Sequence, residues 1–148
     1  MYIILIKMQS LTKILQLEDD EQIPKAVARI LRREGIEVEL ATNYIEAEAA
    51  LRGEAVKDLT NETGQRQYSG LSHYDAMLLD MNVPSGFGSD IARTARAMGY
   101  QGRIVMFSGA DMQKAREQTR GLENVGYLNK PYDSADLLVK ALIGEYSD

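Results

Sequence analysis

The chain has 148 residues, 45% of them apolar, with a net charge of -5 and no cysteine. That length fits one globular domain with a real core and leaves no room for a second. The acidic balance offers no basic stripe to displace counterions from phosphates, which argues against a nucleic-acid partner. The lack of cysteine removes disulfides and thiolate metal sites and agrees with a reducing cytoplasm.

Residues 1–10, MYIILIKMQS, hold a short apolar run broken by Lys7. It is too short to span a bilayer and lacks the basic lead and long apolar centre of a signal peptide, so no membrane association is expected. It reads as an N-terminal extension, either an extended tail or an upstream start with Met8 as the alternative initiator.

From Leu11 onward, strand and helix alternate. Lys13 to Leu17 is strand-like and runs into four acids, Glu18, Asp19, Asp20 and Glu21. Residues 23–34 place Ile23, Val27, Ile30 and Leu31 at helical spacing, with Pro24 in the first turn and Gly35 as the stop. Glu37 to Ala41 alternates as a second strand. Asn43 is placed to cap a helix through Ile45 and Ala49, with an extension to Val56 and Leu59 expected. Ala76 to Leu79 is a continuous apolar run, as expected of a strand buried on both faces, and Asp80 stands at its end. Pro84, Gly86 and Gly88 then turn the chain away. Helices follow over 89–98, 112–120 and Ser134 to about Glu145, the last with Leu137, Leu138, Ala141 and Leu142 inward. Between them lie a fourth strand, Arg103 to Phe107, and a short fifth, Gly126 to Leu128. The alternation predicts an α/β fold with a parallel sheet and right-handed crossovers.

The polar residues at the strand ends are the informative ones. Glu18 and Asp19 end the first strand, Asp80 the third and Ser108-Gly109 the fourth, and Lys130-Pro131 follows the fifth. A doubly wound sheet brings all of them to one edge, where such folds bind ligands. Singly, each has an ordinary explanation: acid pairs cap helices, Ser-Gly makes turns and Lys-Pro makes loops. Their joint placement does not.

In this order, with Pro84 and Gly88 in the loop after Asp80 and Tyr127 three residues before Lys130, the set resembles the response-regulator receiver domain of two-component signalling. The resemblance runs from about Leu11 to Tyr146 and implies a flavodoxin-like (βα)5 sheet in the order 2-1-3-4-5. It implies that Asp80 takes a phosphoryl group from a phosphohistidine on a histidine kinase or a histidine phosphotransfer protein. The chain would work in the cytoplasm as a stand-alone receiver or phosphorelay shuttle, not as an enzyme on an external substrate, and would signal to a downstream protein target.

Converging carboxylates repel one another unless they share protons or recruit a cation, and all-oxygen ligands suit Mg²⁺. The resemblance makes Asp19, Asp80 and the backbone carbonyl of Asn82 the direct metal ligands, with Glu18 acting through water. Lys130 would supply a point charge to the phosphoryl oxygens and Ser108 a hydroxyl. By the same resemblance, Ser108 and Tyr127 form the switch that reports phosphorylation, Ile23 and Ala26 dock the phosphodonor, and the Lys130-Pro131 bond is cis. Ordinary alternatives remain for Tyr127, as a strand aromatic packed on the last helix, and for Ile23, as core.

The departures from the pattern are specific. Asn82 and Ala110 stand where the family tunes phosphoryl lifetime. Phe87 precedes Gly88 where small or polar residues are usual, either covering the pocket mouth or packing. The segment between Asp19 and Asp80 is longer than the resemblance requires, with its excess at about 55–73. An extended second helix followed by a mobile loop or hairpin near 60–73 is expected, carrying the only histidine, His73, as a surface residue. A haloacid-dehalogenase-type phosphatase would need an acid where Asn82 stands. A nucleotide- or flavin-binding protein would need a phosphate-cradling loop, of which Gly86-Phe87-Gly88 is only a fragment. The nearer rival is a receiver-like module that binds partners without being phosphorylated.

Overall fold

The apolar strand segments assemble into one five-stranded parallel sheet. The computed structural model describes residues 11–20, 22–109, 112–130 and 134–147. The elements in chain order are β1 (Lys13–Leu17), α1 (Gln22–Arg33), β2 (Glu37–Ala41), α2 (Tyr44–Arg52), β3 (Ala55–Lys57), β4 (Gln65–Gln67), a 3-10 turn (Leu71–His73) and β5 (Ala76–Asp80). They continue with β6 (Asn82–Val83), β7 (Gly86–Phe87), α3 (Gly88–Ala97), β8 (Arg103–Ser108), α4 (Met112–Gln118), β9 (Val125–Asn129) and α5 (Ala135–Leu142). The main sheet runs β2-β1-β5-β8-β9, which is 2-1-3-4-5 when its own strands are counted along the chain. The 1–10 extension and Met8 lie outside the described residues.

Alternating side chains divide the core between the two faces of the sheet. Leu15, Leu17, Met77, Leu79, Ile104 and Met106 pack under α2, α3 and α4. Ile14, Leu78, Val105, Phe107 and Leu128 pack under α1 and α5 through Val27, Leu31, Leu138 and Leu142. All five residues of β5 are buried, as expected of a central parallel strand. Asn43 caps α2 as expected, its side chain accepting from the Glu46 N-H at 2.9 Å. Ser134 likewise caps α5. That helix ends at Leu142, short of the expected Glu145, because Gly144 takes a left-handed φ of 84° and Glu145 N-H returns to the Lys140 carbonyl.

The expected run of α2 to Val56 and Leu59 is not found. The helix stops at Arg52, where Gly53 adopts a left-handed φ of 69° and the Glu54 N-H donates to the Ala49 carbonyl. Gly53 also lies backbone to backbone against Gly70, so that an added Cβ would meet the Gly70 Cα at 3.3 Å. The chain instead turns into an antiparallel hairpin, β3 with β4, pairing Ala55 with Gln67 and Lys57 with Gln65. The hairpin thus begins before the stretch where the sequence suggested one, and His73 is exposed beyond it.

The hairpin is fixed to the outer edge of β2. Arg66 Nη1 and Tyr68 OH both donate to the Leu40 carbonyl, at 3.1 and 2.8 Å, and Tyr68 is buried. Just after it, Ser69 N-H, Ser69 Oγ and Tyr74 OH all donate to the Glu39 carboxylate, which also pairs with Lys13 at 3.1 Å.

Candidate functional site

The carboxyl ends of β1, β5 and β8 and the residue after β9 define the site. Glu18 and Asp19 leave β1, and Asp20 does the capping: its carboxylate accepts from the N-H groups of Gln22 and Ile23 at 2.7 and 3.0 Å. That frees the two acids before it. Ligand oxygens of Glu18, Asp19 and Asp80 lie within 4.8 Å of one another. Glu18 is 1% exposed and Asp80 9%, while Asp19 is open to solvent. Lys130 Nζ bridges the two buried acids, 2.5 Å from Glu18 Oε2 and 3.1 Å from Asp80 Oδ1.

Lys130 is held at both ends. Its backbone N-H donates to the Ser108 carbonyl at 2.9 Å, and its ammonium lies 5.1 Å from the centre of the Phe107 ring. Ser108 ends β8 and is buried, opposite Asn129 in the register with β9. Three carboxylates against one ammonium leave the cluster net negative. Burial pushes the Glu18 carboxyl above its usual range and the Asp80 charge adds to that, with Lys130 opposing. An all-oxygen donor set with surplus negative charge and one ligand open to solvent suits a hard divalent cation that keeps some water.

The loop after Asp80 is a miniature hairpin, β6 with β7, pairing Asn82 with Phe87 and Val83 with Gly86 across Ser85, whose φ is 75°. Asn82 opens it and is exposed. Gly86 lies flat against the Tyr44 ring, and the Tyr44 N-H donates to the Pro84 carbonyl at 3.1 Å, so α2 and the loop brace each other. Phe87 is 40% exposed, with Lys114 Nζ 5.2 Å from its ring.

Tyr127 lies on the face covered by α4 and packs there, not on the last helix. Its hydroxyl is 2.6 Å from Thr119 Oγ1 and its ring 4.4 Å from the Arg116 guanidinium. Ile23 and Ala26 are half-buried on α1, Ile23 packed against the core beneath it. Ala110 and the Lys130-Pro131 bond lie outside the described residues. Two groups carried no signal in the sequence. Gln16, fully buried one step down β1 from Glu18 on the same face, has no hydrogen-bond partner for either amide atom among the described residues. Thr119 is 1% exposed and sits eight positions from its partner, at no spacing that marks a pair.

A flavodoxin-like sheet with an acid cluster and one lysine at its carboxyl edge defines a phosphate-handling signalling domain of the receiver type. The response regulator receiver domain model matches residues 14–142, and the chain belongs to that family. It is 30% identical over 127 residues to the response regulator protein PmrA of Pseudomonas aeruginosa, covering 84% of this chain and 48% of that protein. It is 28% identical over 131 residues to the transcriptional regulatory protein CutR of Streptomyces coelicolor, covering 86% and 51%. The chain therefore spans about half the length of these curated relatives. The CheY-like receiver domain protein of Methanospirillum hungatei superposes with a TM-score of 0.68 at 24% identity, over 92% of this chain and 96% of that one. Among the described residues no helix is long and apolar enough to cross a membrane.

Proposed function

We propose that Asp80 accepts a phosphoryl group from a phosphohistidine of a histidine kinase or phosphotransfer protein. The observation that carries this reading is the Lys130 ammonium placed on both Glu18 and Asp80 beside Asp19. An Asp80 carboxylate oxygen attacks phosphorus, the donor's P-N bond breaks, and the imidazole leaves with the electron pair. Phosphoryl transfer asks chiefly for positioning and charge compensation, and the chain has the groups for both. Asp19, Asp80 and the Asn82 backbone carbonyl would hold Mg²⁺ directly and Glu18 through water, and the ion would supply charge neutralisation at the phosphoryl oxygens. Lys130 exchanges its carboxylate partners for a phosphoryl oxygen, and the Ser108 hydroxyl binds another.

In this reading residues 11–148 are the receiver, with 55–73 as its insertion. Ser108 and Tyr127 form the switch, and Ile23 and Ala26 take part in docking the donor. The domain promotes its own phosphorylation and dephosphorylation without acting as a classical enzyme, and it works in the cytoplasm. Its partners are the phosphodonor and a downstream protein; the net charge of -5 supports protein contacts over direct DNA contact by this domain.

Intact mass after incubation with a small acyl phosphate and Mg²⁺ tests the proposal. One added phosphoryl group is expected on the wild type, absent from Asp80→Asn and prevented by EDTA. No gain, even with a histidine-phosphorylated donor protein, would leave a binding module that works without phosphorylation.

A further inference from the structure

The Tyr127-Thr119 pair has a defined direction. Thr119 Oγ1 donates its proton to the Ala115 carbonyl at 2.7 Å, so at 2.6 Å it can only accept from Tyr127. Thr119 itself is buried, and its backbone N-H also bonds the Ala115 carbonyl, so it is a fixed post. The Arg116 guanidinium, one turn back on α4, lies on the face of the same ring.

The position of that post is what matters. α4 connects two adjacent parallel strands and so runs antiparallel to them. It begins after Ser108, at the carboxyl end of β8, and residues 119–124 lead from its end to β9. Thr119 directly follows the last residue of α4, Gln118, whose side chain accepts from the Ser89 hydroxyl at 2.7 Å. A tyrosine hydroxyl bound there ties the ring to the end of α4.

We infer that Thr119 is a positioning residue that latches the Tyr127 ring in the resting arrangement and so opposes its movement toward Ser108. The inference rests on the phosphoacceptor reading above. Phosphorylation of Asp80 has to break the Tyr127-Thr119 bond before the ring can follow Ser108, so the latch sets how much of the phosphoryl group's binding is diverted into moving the switch. The net strength of a buried neutral hydrogen bond corresponds to about a 2- to 12-fold bias in that equilibrium.

The test is titration of the full chain with beryllofluoride, a stable mimic of aspartyl phosphate, in the presence of Mg²⁺. The ring of Tyr127 is followed by carbon-proton NMR of labelled tyrosine, assigned with Tyr127→Phe. Thr119→Val keeps the shape and loses the hydroxyl; it is expected to bind beryllofluoride about 2- to 12-fold more tightly than wild type, with the Tyr127 resonance already shifted in the free protein. Thr119→Ser restores the hydroxyl and should return both readouts to wild-type values, which a merely structural role would not require. Tyr127→Phe removes the same bond from its other end and carries the same affinity expectation if Thr119→Val does not fold. Unchanged or weaker binding by both variants, with wild type binding normally, overturns the latch. Failure of wild type to bind beryllofluoride at Asp80 overturns the phosphoacceptor reading, and the latch with it.

Discussion

Gly88 is packed against the backbone of Asp80 so closely that a Cβ on it would lie 1.9 Å from the Asp80 carbonyl oxygen. Its own N-H donates to the Met81 carbonyl at 2.9 Å, which closes the loop that carries the carboxylate out of the sheet. Backbone cannot swing aside as a side-chain tip can. Gly88→Ala is therefore expected to cost at least about 3 kcal/mol in urea unfolding and to abolish phosphoryl uptake. Gly86→Ala makes a different clash, its Cβ meeting the Tyr44 ring at 2.4 Å, and Tyr44→Ala should recover most of the loss. Equal damage from both, with no rescue, would show that the loop is not held in the way described.

Lys130 competes with any divalent cation for Glu18 and Asp80. Replacing it with Met leaves the three carboxylates without a nearby ammonium, so Mg²⁺ binding measured by calorimetry should tighten, by about tenfold. Phosphorylation by a small donor should fall by at least about tenfold in the same variant, because the phosphoryl oxygens lose their charge partner. Weaker Mg²⁺ binding in Lys130→Met would contradict the competition.

The buried Gln16 is a liability for stability. Both of its amide atoms are desolvated without a protein partner among the described residues, and leaving such groups unmatched costs about 1–3 kcal/mol. Gln16→Leu should raise the unfolding free energy by about that amount. A drop instead would mean that the amide contributes through a contact made only in the folded protein in solution.

Glu39 provides the pH dependence. Burial pushes its carboxyl upward, but the Ser69 hydroxyl and N-H, the Tyr74 hydroxyl and the Lys13 ammonium outweigh it and hold it below the usual glutamate range. A depressed folded-state value means that the charged form is the one the fold favours. Its contribution is complete above the ordinary glutamate value and is lost as pH falls through the lower, folded-state one. Glu39→Gln should lose about 1–3 kcal/mol at neutral pH and show a shallower decline in thermal stability below about pH 4.5.

What was legible in the sequence was what local pattern encodes. Lys13 to Leu17 and Glu37 to Ala41 form strands over those residues, Asn43 caps its helix, and the acids, Ser108 and Lys130 gather at one edge because a parallel sheet places strand ends there. The early stop of α2 was partly encoded in Gly53, yet its close approach to Gly70 is a contact between distant residues that no periodicity announces. The same holds for Glu39, whose donors Ser69 and Tyr74 come from thirty and thirty-five positions away. Thr119 gave no signal because a buried threonine at a helix end is ordinary until the tyrosine opposite it is placed.

The hairpin on β2 has one more consequence. Glu37 N-H and the Ala41 carbonyl bond toward β1, so the alternation of the strand turns the Leu40 carbonyl outward, where a strand from a second molecule could add. Arg66 and Tyr68 already occupy it. The long connection thus seals an open side of the sheet, and a version of the chain shortened across β3 and β4 would be prone to stick to copies of itself, even with its acid cluster intact.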